Sequence, residues 1–270
     1  MSKKGLVILF IAAVFTGCGE YQKLLKSKDP ELKYEKAIEY FDRKEFVKAQ
    51  QLFEDVSVYY KGTERSEDVL NYLSRCYMGH KDYASACEYY EAYIRNYPKG
   101  RYIIEARYMV GYCSYMDSPD PKLDQTTTYK AIDYLNNFVE LYPESPYAND
   151  AYTYLEELYN KLAQKEFISA RLYYNLGTYL GNNYESCVIV SQNALKKFPG
   201  NKFQEDFGWL ILQSKYQLVK LSVADRRQER AEDAIDECYN FLVEYPETKH
   251  RKAVEKMRTE LGKIAKNSEE

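Results

Sequence analysis

Five times along the chain a small residue on an apolar helical face is followed, eleven positions later, by an aromatic one. The pairs are Ala49 and Tyr60, Ala86 and Tyr97, Ala131 and Tyr142, Cys187 and Phe198, and Ala234 and Tyr245. Eleven residues make about three helical turns, so both members of a pair lie on one face. In the last four pairs the next residue is proline (Pro98, Pro143, Pro199, Pro246), and in the first it is Lys61 followed by Gly62. Proline cannot continue a helix, so each motif predicts the second helix of a helical hairpin, closed at the aromatic. Turn and cap formers follow each proline (Lys99 and Gly100, Glu144 and Ser145, Gly200 and Asn201, Glu247 and Thr248), and a new amphipathic segment starts beyond them.

The prolines are unevenly spaced. Pro143 to Pro199 is the longest interval, and most of its excess is residues 147–163, where Ala151, Tyr154, Leu155, Leu158, Tyr159 and Leu162 recur at helical spacing. A long central helix is predicted there, running on past Glu166. Residues 251–270 read as a charged amphipathic helix that caps the array and then frays.

The pattern resembles the tetratricopeptide repeat (TPR), whose first helix carries a bulky residue, an apolar-small pair and an aromatic, and whose second carries Ala, an aromatic and a terminal Pro. In the first repeat Ala37 and Tyr40 precede Ala49 and Phe53; in the second, Leu70, Leu73, Ser74 and Tyr77 precede Ala86, Tyr90 and Pro98. The third has Val110 and Gly111, then Ala131 and Pro143, with an insertion at 118–124 between its helices. The fourth has Leu176 and Gly177, then Cys187 and Pro199. The fifth has Trp209, Leu212 and Tyr216, then Ala234 and Pro246, with the charged run 225–230 in its turn. The resemblance implies an all-α superhelical solenoid of about five irregular TPR hairpins, repeats one to three over 31–145, and a linking helix with repeats four and five over 146–250.

Residues 1–17 hold Lys3 and Lys4, an apolar run from Leu6 to Phe15 and a small-residue end, the pattern of a secretory signal. The run is too short to cross a bilayer, which asks for ~20 apolar residues. Phe15, Thr16, Gly17 and Cys18 resemble a bacterial lipobox, with Phe15 where Leu is usual. On that reading Cys18 is the lipidated first residue of the mature chain and 18–30 a tether; an ordinary secretion signal or an uncleaved anchor is the other reading. Several acyl chains on one cysteine supply the multiple hydrophobic signals that stable anchoring needs.

Composition narrows the function classes. With 38 basic against 41 acidic residues the chain has no broad basic surface, so no nucleic acid partner is expected. Losing residues 1–17 removes two lysines and no acid, which takes the net charge from -3 to -5. His80 and His250 stand far apart, the six cysteines form no C-x-x-C pair, and no metal or other cofactor is expected. Glu156 and Glu157 are adjacent carboxylates that point apart on a helix, so no catalytic residue is expected either. Thirty tyrosines beside twelve glycines and eight prolines suit amphipathic rings at helical seams. Cys76 and Cys87 face each other across one hairpin and could bridge, but buried free thiols filling small apolar places are the expectation for Cys76, Cys87, Cys113, Cys187 and Cys238.

The lipobox, the repeats, the segment 142–147 (Tyr-Pro-Glu-Ser-Pro-Tyr) and the segment 158–167 (Leu-Tyr-Asn-Lys-Leu-Ala-Gln-Lys-Glu-Phe) together resemble the BamD family, TPR lipoproteins of the outer-membrane β-barrel assembly machine. The resemblance implies a non-enzymatic, periplasm-facing scaffold at the outer membrane of a Gram-negative bacterium. Its partners would be the BamA POTRA region, held by the C-terminal repeats, other subunits of the machine, and unfolded outer-membrane proteins received by the N-terminal repeats. Tyr34, Asn71, Arg75, Tyr108, Tyr112 and Tyr115 would line the client groove on the first helices; the other reading is that they pack between helices or face water. Glu205, Asp206, Arg226, Arg227 and Arg230 are candidates for the partner surface, or else for a solvated loop. A generic TPR adaptor of another envelope machine, such as a secretin pilotin, would share these features.

Overall fold

The computed structural model describes residues 19–266, and all their regular structure is helical. A short helix α1 (residues 19–25) is followed by α2 (Pro30–Asp42), α3 (Phe46–Tyr60), α4 (Arg65–Gly79), α5 (Tyr83–Asn96), α6 (Ile103–Met116) and α7 (Thr126–Leu141). Then come α8 (Ala148–Leu176), α9 (Asn183–Lys197), α10 (Gln204–Lys220), α11 (Ala224–Glu244) and α12 (Arg251–Lys266). The chain packs as two units. The first runs through Ser118 and includes Thr126–Tyr154; the second is Pro119–Gln125 together with the chain from Leu155 onward, so the division falls inside α8. The expected signal segment (1–17), Cys18 and the last four residues lie outside the described residues.

The repeat motif explains the local geometry. Ala49, Ala86, Ala131, Cys187 and Ala234 are all wholly buried, because a larger side chain there would push the paired helices apart. At the helix ends, Tyr97, Phe198 and Tyr245 take near-identical backbone angles (φ −129 to −121°, ψ 62 to 71°). The proline that follows forbids the α region at the residue before it. Each of these residues, and Tyr142, still closes the last helical bond through its own N–H at 2.8–2.9 Å. The carbonyl of the aromatic then turns the chain, accepting from Gly100, Ser145 or Thr248 three residues on, and from the Asn201 side chain in the fourth repeat. The first repeat makes the same bond, Thr63 to Tyr60, with Gly62 at φ 80° in place of proline.

The turns within the first two hairpins are also alike. Lys44 and Lys81 sit at φ 62° and 67°, and the next residue donates back to the carbonyl of Tyr40 or Tyr77, a helix-ending motif in which glycine is the usual left-handed residue. Asp82 then caps α5 by accepting from the Ser85 N–H, and Asp29 caps α2 in the same manner.

In the first unit, Ala37, Leu52, Phe53, Val56 and Leu73 form one core, and Ala86, Tyr90, Tyr93, Val110 and Cys113 a second. In the second unit, Ala170, Cys187, Ala194, Phe207 and Leu210 form one cluster. Another joins Leu212, Ala234 and Phe241 to Val254 and Leu261 of α12. Burying the last two stabilises the end of the array by ~1.5–3 kcal/mol per side chain.

The long central helix is α8, 29 residues. Three expectations need correction. Leu176 and Gly177 are not the mid-helix apolar-small pair of the fourth repeat: α8 ends at Leu176, and Gly177 at φ 55° terminates it. The small residue packed with Cys187 is Ala170. The charged run 225–230 is not a turn but the start of α11. Third, the segment 18–30 expected as a tether is packed on the first hairpin in its described part, where Tyr21 is buried and its hydroxyl donates to the Gln51 side chain at 2.8 Å and the Lys48 carbonyl at 3.2 Å. Lys33, also buried, reinforces this corner by pairing with Asp55 at 2.6 Å and donating to the Leu25 carbonyl.

Candidate functional site

Tyr108, Tyr112 and Tyr115 stand on α6 at spacings of four and three, hence on one helix face. Their rings form a ladder, completed by two tyrosines from beyond α7. Tyr108 stacks on Tyr147 (4.6 Å, 12°), and Tyr115 stacks on Tyr154 (4.4 Å, 26°). Tyr112 lies between, 6.1 Å from Tyr108, 6.2 Å from Tyr115 and 5.3 Å from Tyr154. Tyr108 is buried; Tyr112, Tyr115 and Tyr154 keep part of their rings in solvent. Burial pushes the Tyr112 hydroxyl up from its ordinary value, with Tyr154 adding to the effect. For Tyr108 burial acts first and a hydrogen bond to Tyr154 second. The ladder offers π faces and hydroxyls to whatever lies on it.

The other three residues of the expected groove are placed differently. Tyr34 packs edge-on against Phe53 (6.0 Å) and Tyr60 (5.5 Å) with the Arg65 guanidinium 5.1 Å from its ring, and burial pushes its hydroxyl up to about 12. Asn71 is buried and its Oδ1 accepts no hydrogen bond. Arg75 lies over the Phe41 ring at 5.6 Å with Glu105 3.8 Å from its Nε, so α2, α4 and α6 are tied by one guanidinium.

In the second unit Glu205 and Asp206 occupy the first turn of α10, where the helix dipole favours acids. Glu205 accepts from the Thr248 hydroxyl at 2.6 Å. Arg227 and Arg230 fold back onto Ser222, donating to its carbonyl at 2.8 Å and its hydroxyl at 2.9 Å, while Arg226 is exposed. The acids and the arginines stand at opposite ends of α10, ~25 Å apart for a helix of this length. They are two patches, not one.

Sequence reasoning did not include Tyr147 and Tyr154 in the site, although their seven-residue spacing repeats that of Tyr108 and Tyr115. Glu156 and Glu157 are exposed on α8. Among the described residues no group of three or more His, Cys, Asp or Glu side chains is placed to hold a metal ion, and no helix is long and apolar enough to cross a membrane. The five described cysteines are unpaired. Burial pushes the Cys76 thiol up to about 12 and that of Cys238 to about 11, which keeps both protonated and unreactive.

Helical hairpins with a buried small residue, a closing aromatic and a helix-ending proline, and with rings presented along the first helices, define a TPR-type helical-repeat protein. The chain belongs to the YfiO family of outer membrane lipoproteins, whose model matches residues 26–182. It is 28% identical over 179 residues to the outer membrane protein assembly factor BamD of Caulobacter vibrioides, covering 64% of this chain and 58% of that one. It is also 28% identical over 224 residues to an Aquifex aeolicus protein provisionally named as the same factor, covering 82% of this chain and 71% of that one. The chain thus spans less than two thirds of the Caulobacter relative. A solved Podosopora anserina protein of nearly identical TPR-like repeats aligns at 16% identity with a TM-score of 0.38, over 80% of this chain and 95% of that one.

Proposed function

We propose that this chain is a scaffold of the machine that folds and inserts outer-membrane β-barrel proteins, held at the periplasmic face of the outer membrane by acylation of Cys18. The tyrosine ladder of Tyr108, Tyr112, Tyr115, Tyr147 and Tyr154 carries the reading. Barrel strands alternate apolar and polar side chains and carry girdles of aromatic ones, and a row of rings, most of them part-exposed, can stack on such side chains without demanding one sequence. The first unit is accordingly the client-receiving part, and the second, through Glu205 and Asp206 at one end of α10 and Arg226, Arg227 and Arg230 at the other, makes two separate contacts with the BamA POTRA region or other subunits. Membership of the YfiO family and the names of the relatives support this.

The test is recovery from detergent-solubilised outer membrane of wild type beside Cys18→Ala, with co-purifying proteins identified by mass. A large POTRA-containing barrel protein is expected with the wild type. A secretin or a glycan transporter in its place would refute the reading, and full membrane retention of Cys18→Ala would refute the anchor.

A further inference from the structure

Between α1 and α2 lies a groove of about 630 Å3, within the ~300–1,000 Å3 of ligand pockets. Its apolar lining is Leu24 and Tyr40, both half-buried, and Leu32, which is 39% exposed. Four cations line it as well, Lys23 and Lys26 from the α1 side and Lys36 and Arg43 from α2, against two acids, Glu20 and Glu39. Glu39 is shared between Lys36 at 2.8 Å and Arg43 at 3.6 Å. Lys23 and Lys26 are exposed, and among the described residues neither pairs with a carboxylate. The groove thus carries an excess of two positive charges in a chain whose net charge is -3, so the excess is local and not part of a broad basic surface. Tyr21 meets Tyr40 at 5.4 Å and the Leu25 carbonyl accepts from Lys33, so α1 runs antiparallel to α2 and its Cys18 end lies beside Tyr40 and Arg43.

We propose that this groove binds the headgroup of an anionic glycerophospholipid from the leaflet that holds Cys18, with Lys23 and Lys26 on the phosphate and Leu24, Leu32 and Tyr40 against the glycerol and first methylenes. Position and charge together fix the occupant. Glu20, at the near end of the groove, is two positions beyond Cys18, and two residue steps span at most ~7 Å. The polar layer on each side of a bilayer's hydrocarbon is roughly 5–8 Å deep. With Cys18 acylated, the groove therefore opens among headgroups, whose fixed anion is phosphate. Lysine meets a phosphate as a point charge on a flexible stem, and each one near an anionic leaflet is worth about fivefold in binding. The proposal rests on the reading of Cys18 as the acylated anchor and not on the assembly-machine reading.

The test uses the full chain as purified from membranes, in vesicles of phosphatidylcholine alone or of an equal mixture with phosphatidylglycerol; the mass of the mature chain, read first, shows whether Cys18 carries acyl groups. A lipid seated in the folded groove slows local opening in proportion to its occupancy, so amide exchange across residues 19–43 is expected to be threefold or more slower in the mixed vesicles. Lys23→Gln together with Lys26→Gln removes the slowing, and because both positions are exposed the fold is kept. Lys252→Gln together with Lys256→Gln takes the same charge from exposed positions on α12 and leaves the slowing in place. Equal exchange in the two vesicles with Cys18 acylated, slowing that survives in the Lys23 and Lys26 double variant, or slowing lost as fully in the α12 variant overturns the groove and leaves the anchor standing. The same slowing by inorganic phosphate in lipid-free detergent overturns the lipid assignment, and an unacylated Cys18 overturns the anchor and the proposal with it.

Discussion

Gly111 to Ala has opposite expected signs in two backgrounds, and that makes it a sharp probe of hairpin packing. Gly111 lies in the middle of α6, where alanine in place of glycine should raise helix stability by ~1 kcal/mol. Against this, a Cβ at Gly111 would stand 2.6 Å from Leu135 Cδ2 and 2.8 Å from Leu135 Cγ, with the α7 backbone N 3.4 Å away. Leu135 is fully buried in the packing between the helices, so relieving the overlap costs ~1–3 kcal/mol for overpacking. The net expectation is a loss of about 1 kcal/mol. In a Leu135→Ala background, itself ~2–5 kcal/mol less stable because of the cavity, the obstacle is gone. The same Gly111→Ala change then recovers about 1 kcal/mol. Hydrogen exchange of peptides from residues 103–141 reads both cycles locally, without requiring that a protein of two units unfold in one step. Stabilisation of the wild-type background by Gly111→Ala, or the same sign in both, would refute the close approach of α6 and α7.

Lys81→Gly removes a side chain from a left-handed position and should stabilise the second hairpin by ~0.5–1 kcal/mol, raising the thermal midpoint by a degree or more; a drop would show that the turn is misassigned. Tyr21→Ala should cost ~2–4 kcal/mol at the first hairpin and release residues 19–27 to rapid hydrogen exchange with little change beyond α5, whereas Tyr21→Phe should cost only ~1 kcal/mol for the lost hydrogen bonds. Trp209, the one tryptophan, stacks on His250 at 4.1 Å and 9°. Burial, and then Lys249, hold the His250 imidazole below its ordinary 6.5, with Glu205 and Asp206 opposing. A depressed histidine binds its proton more readily when unfolded, so its contribution is present above pH ~6.5 and is lost as pH falls through the folded value. Trp209 fluorescence should therefore titrate with a midpoint below 6.5 and lose that transition in His250→Phe; a midpoint above 6.5 would contradict the geometry.

The ends of the second helices were legible because proline and the preceding aromatic are local constraints, and α8 because its apolar residues keep helical spacing throughout. What failed was register where one residue type serves two ends. Gly177 next to Leu176 reads equally as a close-packing pair and as a helix stop, and only the burial of Ala170 decides between them. The run 225–230 looked like a loop because it is charged, yet a charged run is equally a solvated helix face. Tyr21 gave no warning, since a single seated ring leaves no periodicity. That Tyr108, Tyr112 and Tyr115 share a face followed from spacing, but their stacking on Tyr147 and Tyr154 depends on how α6 meets the start of α8.

The seating of Tyr21 has a consequence for how far such a protein could reach. It stands three positions beyond Cys18, with Gly19 and Glu20 between, and three residue steps span at most ~11 Å even when fully extended. Acylated there, as proposed, the first hairpin could not wander on a long leash through the periplasm; it would skim the bilayer within about one helix diameter. Its search for partners would then be confined to a thin layer and so be nearly two-dimensional, with a correspondingly high effective concentration toward anything else fixed in the same membrane. Lengthening the spacer between Cys18 and Tyr21 would dilute that encounter without altering a single contact.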